Sequence, residues 1–149
     1  MVGRRDIAAW LQGPGVVSGT PSPYPGERLG RPEEGAGSVA RPGRRLAGIV
    51  VDWLLATLVA VTLLHPLGRS AGPLLVLLVE HTLLVGTAGG SIGHRLAGLR
   101  VEAVGGGPAG IGRAAARSLL LCLGIPPLIW DRDQRGLHDK LAGTVLVRA

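Results

Sequence analysis

Residues 46–64, LAGIVVDWLLATLVAVTLL, form an apolar run of nineteen positions that carries a single charge, Asp52. At about 1.5 Å of rise per residue, a helix of this length covers roughly 28 Å, close to the thickness of the hydrocarbon layer of a bilayer. A second apolar run, PLLVLLVEHTLLVGTAGGSI, follows after a short turn at residues 73–92. The sequence therefore predicts two antiparallel helices, 46–64 and 73–92, that both cross a membrane.

The composition agrees with a membrane protein. Apolar residues make up 46% of the chain, and they are gathered in runs, whereas a soluble amphipathic helix would show a 3.6-residue period. The formal net charge of +6 comes mainly from arginines at the edges of these runs, where they can meet lipid phosphates, so we expect the lipid bilayer and not nucleic acid as the partner. The arginine-rich and lysine-poor composition indicates a GC-rich bacterial genome.

The single cysteine, Cys122, excludes an intrachain disulfide and a cysteine-based zinc site.

Residues 1–43 hold six of the eleven prolines, which disfavours regular elements and predicts a Pro/Gly-rich cytosolic tail. Near its start, Ile7, Trp10 and Leu11 would share one face of a short helix. That helix would be an interfacial anchor, and an irregular tail remains the alternative.

Arginines flank the two apolar helices unequally, and this predicts their orientation. The turn between the helices carries one basic residue, Arg69. Five arginines flank the other two helix ends: Arg41, Arg44, Arg45, Arg95 and Arg100. Because loops rich in basic residues stay in the cytosol, we expect the turn outside and the N-terminus inside the plasma membrane.

A third apolar segment, residues 114–130, contains Pro126 and Pro127. Prolines break helices, and the uninterrupted part is shorter than the roughly 17 residues that a span needs. Basic residues lie on both sides, so both flanks prefer the same side of the membrane. We expect a short re-entrant or interfacial helix, and the alternative is a complete third crossing that places the C-terminus outside.

Two short segments rich in β-branched residues and bounded by glycine, LRVEAV at 99–104 and TVLVRA at 144–149, read as strands. An isolated strand has no partner for its backbone groups, so we predict that these two pair on the cytosolic side. The fold class that follows is an all-α membrane protein. It is a small helical bundle of two spanning helices and a short third helix, with a short β pair beside it.

The chain carries Arg45 and Asp52 within GRRLAGIVVDW, Arg117 before the third apolar segment, and Asp139 within RGLHDKLAGTVLV. In these motifs and their order, residues 43–148 resemble the RDD family of small bacterial membrane proteins, named for an arginine and two aspartates. The resemblance places residues 44–149 in an RDD-like membrane domain.

The segment SIGHRLAGLRVEAVGGG, residues 91–107, is similar to the family's Gly-x-x-x-Gly-Lys-Arg region, but His94 stands where many members have lysine. The tail segment RLGRPEEGAGSVARPGRR looks like that of actinobacterial members. The resemblance implies a multi-pass plasma membrane protein, usually described with three spans. The family's molecular role is mostly unassigned, and transport has been proposed for some members.

Asp52 lies roughly 10 Å into the first apolar run by helix rise. An ionised carboxylate facing lipid there costs about 2.5–3.5 kcal/mol, so it should face protein and find a partner. The candidate partners are Arg45, Arg117 and His81. Two interpretations stay open: a structural ion pair that locks the helices, or an ion or proton site.

Glu80 and His81 lie in the middle of the second run. Adjacent helical positions point about 100° apart, so they cannot both face one partner squarely. His81 facing Asp52 would form either a polar clamp between the helices or a proton relay. The second interpretation would make the chain a component of proton- or cation-coupled transport that uses Asp52, Glu80 and His81.

Other motifs carry less weight. Gly105, Gly107 and Gly110 match the spacing of a dinucleotide loop, but no βαβ unit surrounds them, so we expect a plain loop and no cofactor. His138 and Asp139 lack further ligands at metal-binding spacing, so no metal site is predicted.

No nucleophile, base and orienting group are clustered in the sequence, so the chain is not expected to be an enzyme. We expect a structural or interaction protein in which Arg45, Asp52, Arg117 and Asp139 tie the helices to the cytosolic edge. Its protein partner would be either a further copy of the chain or another membrane protein, and the sequence leaves both open.

Overall fold

A computed structural model of the protein describes residues 22–64, 68–124, 129–131 and 133–149. The predicted N-terminal anchor of Ile7, Trp10 and Leu11 and the predicted break at Pro126 and Pro127 lie outside these residues. In chain order the elements are a 3-10 turn at Glu27–Leu29, then α1 (Pro42–Leu63), α2 (Gly68–Ala88), α3 (Ile92–Leu96), β1 (Leu99–Ala103), α4 (Gly110–Cys122), α5 (Leu137–Ala142) and β2 (Thr144–Arg148).

The two long helices cover most of the two apolar stretches found from sequence. Pro42–Leu63 and Ala71–Ala88 are long and apolar enough to cross a membrane, with mean hydropathies of 2.2 and 1.6. Their bounds differ from the predicted 46–64 and 73–92. The second helix ends at Ala88 because Gly89 takes a left-handed backbone conformation, φ +74°, and such a glycine commonly terminates a helix.

Each long helix buries one narrow stripe and exposes the rest. The buried residues of α1 recur every three or four positions: Arg45, Gly48, Asp52, Ala56 and Ala60. On α2 four buried residues follow a four-residue spacing, Pro73, Leu77, His81 and Val85, and Gly72 is buried beside the first of them. A Cβ added at Gly72 would lie 3.0 Å from Ala60 Cβ, so small residues let the two helices approach closely.

The short helix α4 runs antiparallel to α2 and packs along it. Near its start, Ile111 lies against Gly86, where an added Cβ would be 2.9 Å from Ile111 Cα. At its end, the Cys122 thiol lies 3.7 Å from the carbonyl oxygen of Leu74. Its thirteen residues span about 20 Å, less than the roughly 30 Å of a hydrocarbon layer.

The two predicted strands pair, as expected from sequence. β1 and β2 form an antiparallel two-stranded sheet in which Arg100 lies opposite Val147 and Glu102 opposite Val145. The chain between the strands therefore leaves the sheet through α4 and returns to it. If the third helix crossed the membrane completely, β2 would lie on the side opposite β1 and the two strands could not pair. Their pairing therefore favours the re-entrant form of the third helix. A third spanning helix is not found among the described residues.

Part of the N-terminal segment extends this sheet. The Ala40 N–H donates to the Leu146 carbonyl at 2.9 Å, and the Gly37 N–H donates to the Arg148 carbonyl at 2.9 Å. Val39 is buried with Val145 and Val147. The proline and glycine content of this segment did not predict the contact, because the contact rests on backbone pairing and not on an apolar period.

Candidate functional site

Five of the six residues singled out from sequence meet in one buried cluster where the hairpin joins the sheet. Arg45, Asp52, His81, Arg117 and Asp139 are each no more than 6% exposed. They come from four different helices, α1, α2, α4 and α5. Charged side chains that are buried to this extent need partners inside the protein, and the cluster supplies them.

Asp139, at the start of α5, is the centre of the charged half of the cluster. Arg117 Nε donates to its Oδ1 at 2.6 Å, and Thr144 Oγ1 donates to the same atom at 3.0 Å. Its Oδ2 lies 3.6 Å from Arg45 Nη1 and 3.5 Å from His138 Nε2. Burial alone would raise the pKa of Asp139, but Arg117, His138 and Arg45 outweigh it and hold that pKa well below its usual value.

Arg45 joins the first turn of α1 to the sheet. Its Nε donates to the carbonyl of Ala40 at 2.9 Å, and its Nη2 lies 3.4 Å from the carbonyl of Leu146. The guanidinium therefore contacts two backbone carbonyls and one carboxylate from three parts of the chain. This geometry uses the planar, multidonor fork of arginine, which lysine cannot reproduce.

Asp52 has three donors around its carboxylate. The Gly93 N–H donates to Oδ1 at 2.6 Å, the Ser91 hydroxyl donates to Oδ2 at 2.5 Å, and His81 Nε2 lies 2.9 Å from Oδ2. Of the three partners considered from sequence, only His81 contacts Asp52 among the described residues, because both arginines bind Asp139. Sequence reasoning missed Ser91 and Gly93.

His81 connects the two halves of the cluster. Its Nδ1 lies 3.4 Å from Arg117 Nη1. A guanidinium can only donate, so we assign Nδ1 as the acceptor and place the ring proton on Nε2, facing Asp52. One continuous chain of polar contacts then runs from Asp139 through Arg117 and His81 to Asp52.

Glu80 lies at the edge of the cluster. Its Oε1 accepts a hydrogen bond from the Ile92 N–H at 3.4 Å, and it is half-buried. It is close enough to Asp52 for the two carboxyl groups to interact. The structure thus brings together Asp52, Glu80 and His81, the three residues named for the transport alternative.

His94 closes the first turn of α3 in a reciprocal capping box. Its N–H donates to Ser91 Oγ at 3.2 Å, and its Nδ1 accepts from the Ser91 N–H at 3.2 Å. Burial, followed by the positive charge of Arg117, lowers the pKa of His94 well below its usual value. The Ser-x-x-His spacing resembles the capping box of Ser-x-x-Gln, a signal in the sequence that could have identified Ser91 as a helix cap but not as a donor to Asp52.

We expect the substitution His94→Gln to flatten the pH dependence of stability. The folded-state pKa of His94 is lowered, so its contribution is fully present above its unfolded pKa of about 6.5 and is lost as pH falls toward the folded pKa, by about 1.4 kcal/mol per pH unit. Glutamine keeps the capping geometry and does not titrate. Thermal unfolding in detergent at pH 7.5 and 5.5 measures both slopes, and equal slopes in the two proteins would contradict this role of His94.

No group of three or more histidine, cysteine, aspartate or glutamate side chains in the described part of the chain is placed to hold a metal ion.

A family model described as "RDD family" matches residues 39–143. No curated protein and no solved structure matches the chain. The matched stretch includes all six residues that were singled out from sequence: Arg45, Asp52, Glu80, His81, Arg117 and Asp139.

Proposed function

We propose, because this chain belongs to the RDD family, that it is a non-enzymatic structural or interaction protein of a bacterial plasma membrane. The family and the two apolar helices indicate a membrane protein. The buried cluster then fixes the membrane hairpin, the re-entrant helix and the cytosolic sheet in one arrangement. Its proposed partners are the lipid bilayer and either further copies of the chain or other membrane proteins. We do not propose nucleic acid as a partner.

The observation that carries this proposal is the connectivity of the cluster. Arg45 links α1 to the sheet, Arg117 links α4 to α5 through Asp139, and Asp52 links α1 to α2 and α3. Each carboxylate therefore ties together elements that are distant in the sequence. A buried charge that meets its partner in only one packing arrangement favours that arrangement.

The extent of the cluster also favours a structural role. It occupies the half of the hairpin next to the sheet, and beyond Asp52 and Glu80 the segments 53–63 and 71–79 contain no charged residue. The hydroxyls of Thr57 and Thr62 donate to carbonyls of their own helix. Within the described residues of one chain, no polar path continues to the far side of the membrane.

One observation favours a second candidate, a component of proton- or cation-coupled transport. Asp52, Glu80 and His81 lie together within the apolar helices, and intramembrane ionisable groups often mark ion pathways. Such a pathway would need further subunits, because segments 53–63 and 71–79 of a single chain carry no charged side chain. If this candidate function is right, the protein reconstituted in liposomes carries a flux of protons or cations across the bilayer.

Flux across liposomes distinguishes the two candidates. For a structural protein we expect the wild type to give no more proton or cation flux than empty liposomes, and Asp52→Asn to lower the yield of folded protein. Wild-type flux that Asp52→Asn abolishes without a change in thermal stability would overturn the structural proposal. Leu54→Asn, at a position that is 62% exposed on the same helix, serves as the control for a polar substitution outside the cluster.

The proposed orientation follows the basic residues: Arg41 lies before α1, Arg44 and Arg45 lie in its first turn, and Arg95 and Arg100 lie after α2. By the positive-inside rule, the sheet and both chain ends are then cytosolic. Maleimide labelling of Ala149→Cys in a Cys122→Ser background tests this. Labelling that requires membrane permeabilisation agrees with the proposal, and labelling of intact cells contradicts it.

A further inference from the structure

A cavity of about 380 Å³ lies beside the cluster, between α1, α2 and α4. The helix α2 packs against both α1 and α4, and the cavity fills the space between those two neighbours. Its walls are apolar over most of their length: Ile49, Trp53, Leu74, Leu77 and Leu121. A volume of this size falls within the roughly 300–1,000 Å³ range of small-molecule sites.

One end of this cavity is charged and presents hydrogen-bond donors. Arg117 lines it and uses Nε for Asp139 and Nη1 for His81, while its Nη2 makes no hydrogen bond within the described part of the chain. Arg45 also lines it, and its Nη1 lies 3.6 Å from the nearest carboxylate oxygen, beyond a good hydrogen bond. His94 adds a third donor, because its Nδ1 accepts from Ser91 and its proton is therefore on Nε2.

The charges of the ionised groups that line the cavity do not sum to zero. Arg45 and Arg117 face the single carboxylate of Asp139, which leaves one positive charge in excess when the histidines are neutral. Asp52 does not line the cavity, and its carboxylate is already bound by Ser91 and Gly93. Two guanidinium groups at one end of an otherwise apolar space favour an anion joined to an apolar chain.

We propose that this cavity binds an anionic amphiphile, in which an oxyanion of one negative charge meets Arg45 and Arg117 and an apolar chain lies along Ile49 and Leu121. A fatty acid and an anionic phospholipid both carry this chemistry. Trp53 forms part of the wall and is 42% exposed, so the cavity borders the surface that faces lipid and a ligand can enter from the bilayer. Lipid binding goes beyond the structural role and does not depend on it.

Quenching of tryptophan by brominated lipids tests this proposal on the full chain. Trp10→Phe and Trp130→Phe leave Trp53 as the only reporter, in micelles of a zwitterionic detergent without bromine. The probes are brominated oleate, its methyl ester, brominated phosphatidylglycerol and brominated phosphatidylcholine. We expect saturable quenching by oleate, by phosphatidylglycerol or by both, and which of them binds identifies the source of the oxyanion.

For the uncharged ester we expect half-saturation at concentrations at least about tenfold higher, because it loses the charge-assisted hydrogen bonds to guanidinium. Saturable binding of the ester and the acid with equal affinity, or of the two phospholipids with equal affinity, would overturn recognition of the charge. Quenching that rises only in proportion to the mole fraction of the probe would overturn a site altogether.

A matched control places the reporter outside the cavity. In the same Trp10→Phe and Trp130→Phe background, Leu54→Trp combined with Trp53→Phe puts the single tryptophan on the exposed face of α1, at a position that does not line the cavity, and there we expect non-saturable quenching. Cys122 gives an independent readout in the wild-type chain, because it lines the cavity and is the only cysteine. Unbrominated oleate or phosphatidylglycerol should slow its alkylation at least severalfold relative to phosphatidylcholine, and unchanged alkylation contradicts occupation of the cavity.

Discussion

Asp139→Asn should destabilise the protein more than any other single charge change, by about 3–5 kcal/mol. The carboxylate is fully buried and is the only acidic group in contact with both Arg45 and Arg117 within the described residues. Asparagine has nearly the same shape but no charge, so two buried guanidinium groups lose their counterion. We expect little folded protein in detergent, measured as monodisperse yield and as thermal unfolding.

Glu34→Gln is the matched control for this substitution. Glu34 pairs with Arg41 at 3.5 Å, and both side chains are more than three quarters exposed. Exposed ion pairs contribute between nothing and about 1 kcal/mol, so we expect the unfolding temperature to stay almost unchanged. A wild-type unfolding temperature in Asp139→Asn would show that the arginines find other partners, and it would remove the basis of the structural proposal.

The sequence allowed the two long helices and the strand pair to be predicted for simple physical reasons. Residues 46–64 and 73–92 are apolar over the length of a bilayer, and no soluble arrangement requires that pattern. The segments 99–104 and 144–149 each needed a backbone partner, and each was the nearest available strand for the other. Both predictions depend on the local residue pattern and on the length of each segment, and the sequence contains both.

The pairing within the cluster was harder to predict, and helix geometry explains why. Arg45 and Asp52 share one face of α1, so Arg45 was one of the three candidate partners of Asp52. Seven residues separate them by about 10 Å along the axis, and helical side chains tilt toward the N-terminus. Arg45 therefore extends toward the sheet, where Leu146 and Asp139 lie, and Asp52 is left for other donors.

Those other donors could not be predicted, because two of them come from a tertiary contact with the first turn of α3. Gly93 offers a backbone N–H and Ser91 a hydroxyl, and neither has a charge or a spacing that points to Asp52. The contact of residues 37–40 with β2 was missed for the same reason. Backbone pairing leaves little trace in the sequence when the segment has no apolar period.

Gly93→Ala should disrupt the same site without any change of charge. A Cβ at this position would lie 2.7 Å from Asp52 Oδ1 and would overlap the carbonyl oxygen of Gly48 even more closely. Both neighbours belong to α1, and the Gly48 oxygen is backbone, so α3 must move away and the hydrogen bond from the Gly93 N–H to Asp52 is lost. Overpacking costs about 1–3 kcal/mol, and leaving a buried carboxylate oxygen unsatisfied adds about 1–3 kcal/mol.

Gly112→Ala separates this effect from that of a methyl group in general. Gly112 lies in α4, where an added Cβ meets nothing within 4 Å, and alanine there gains up to about 1 kcal/mol from reduced backbone entropy of the unfolded chain. We therefore expect opposite signs for the two glycine substitutions in thermal unfolding. If Gly93→Ala were as stable as Gly112→Ala, the close approach of α3 to α1 would be wrong, and with it the backbone hydrogen bond that holds Asp52.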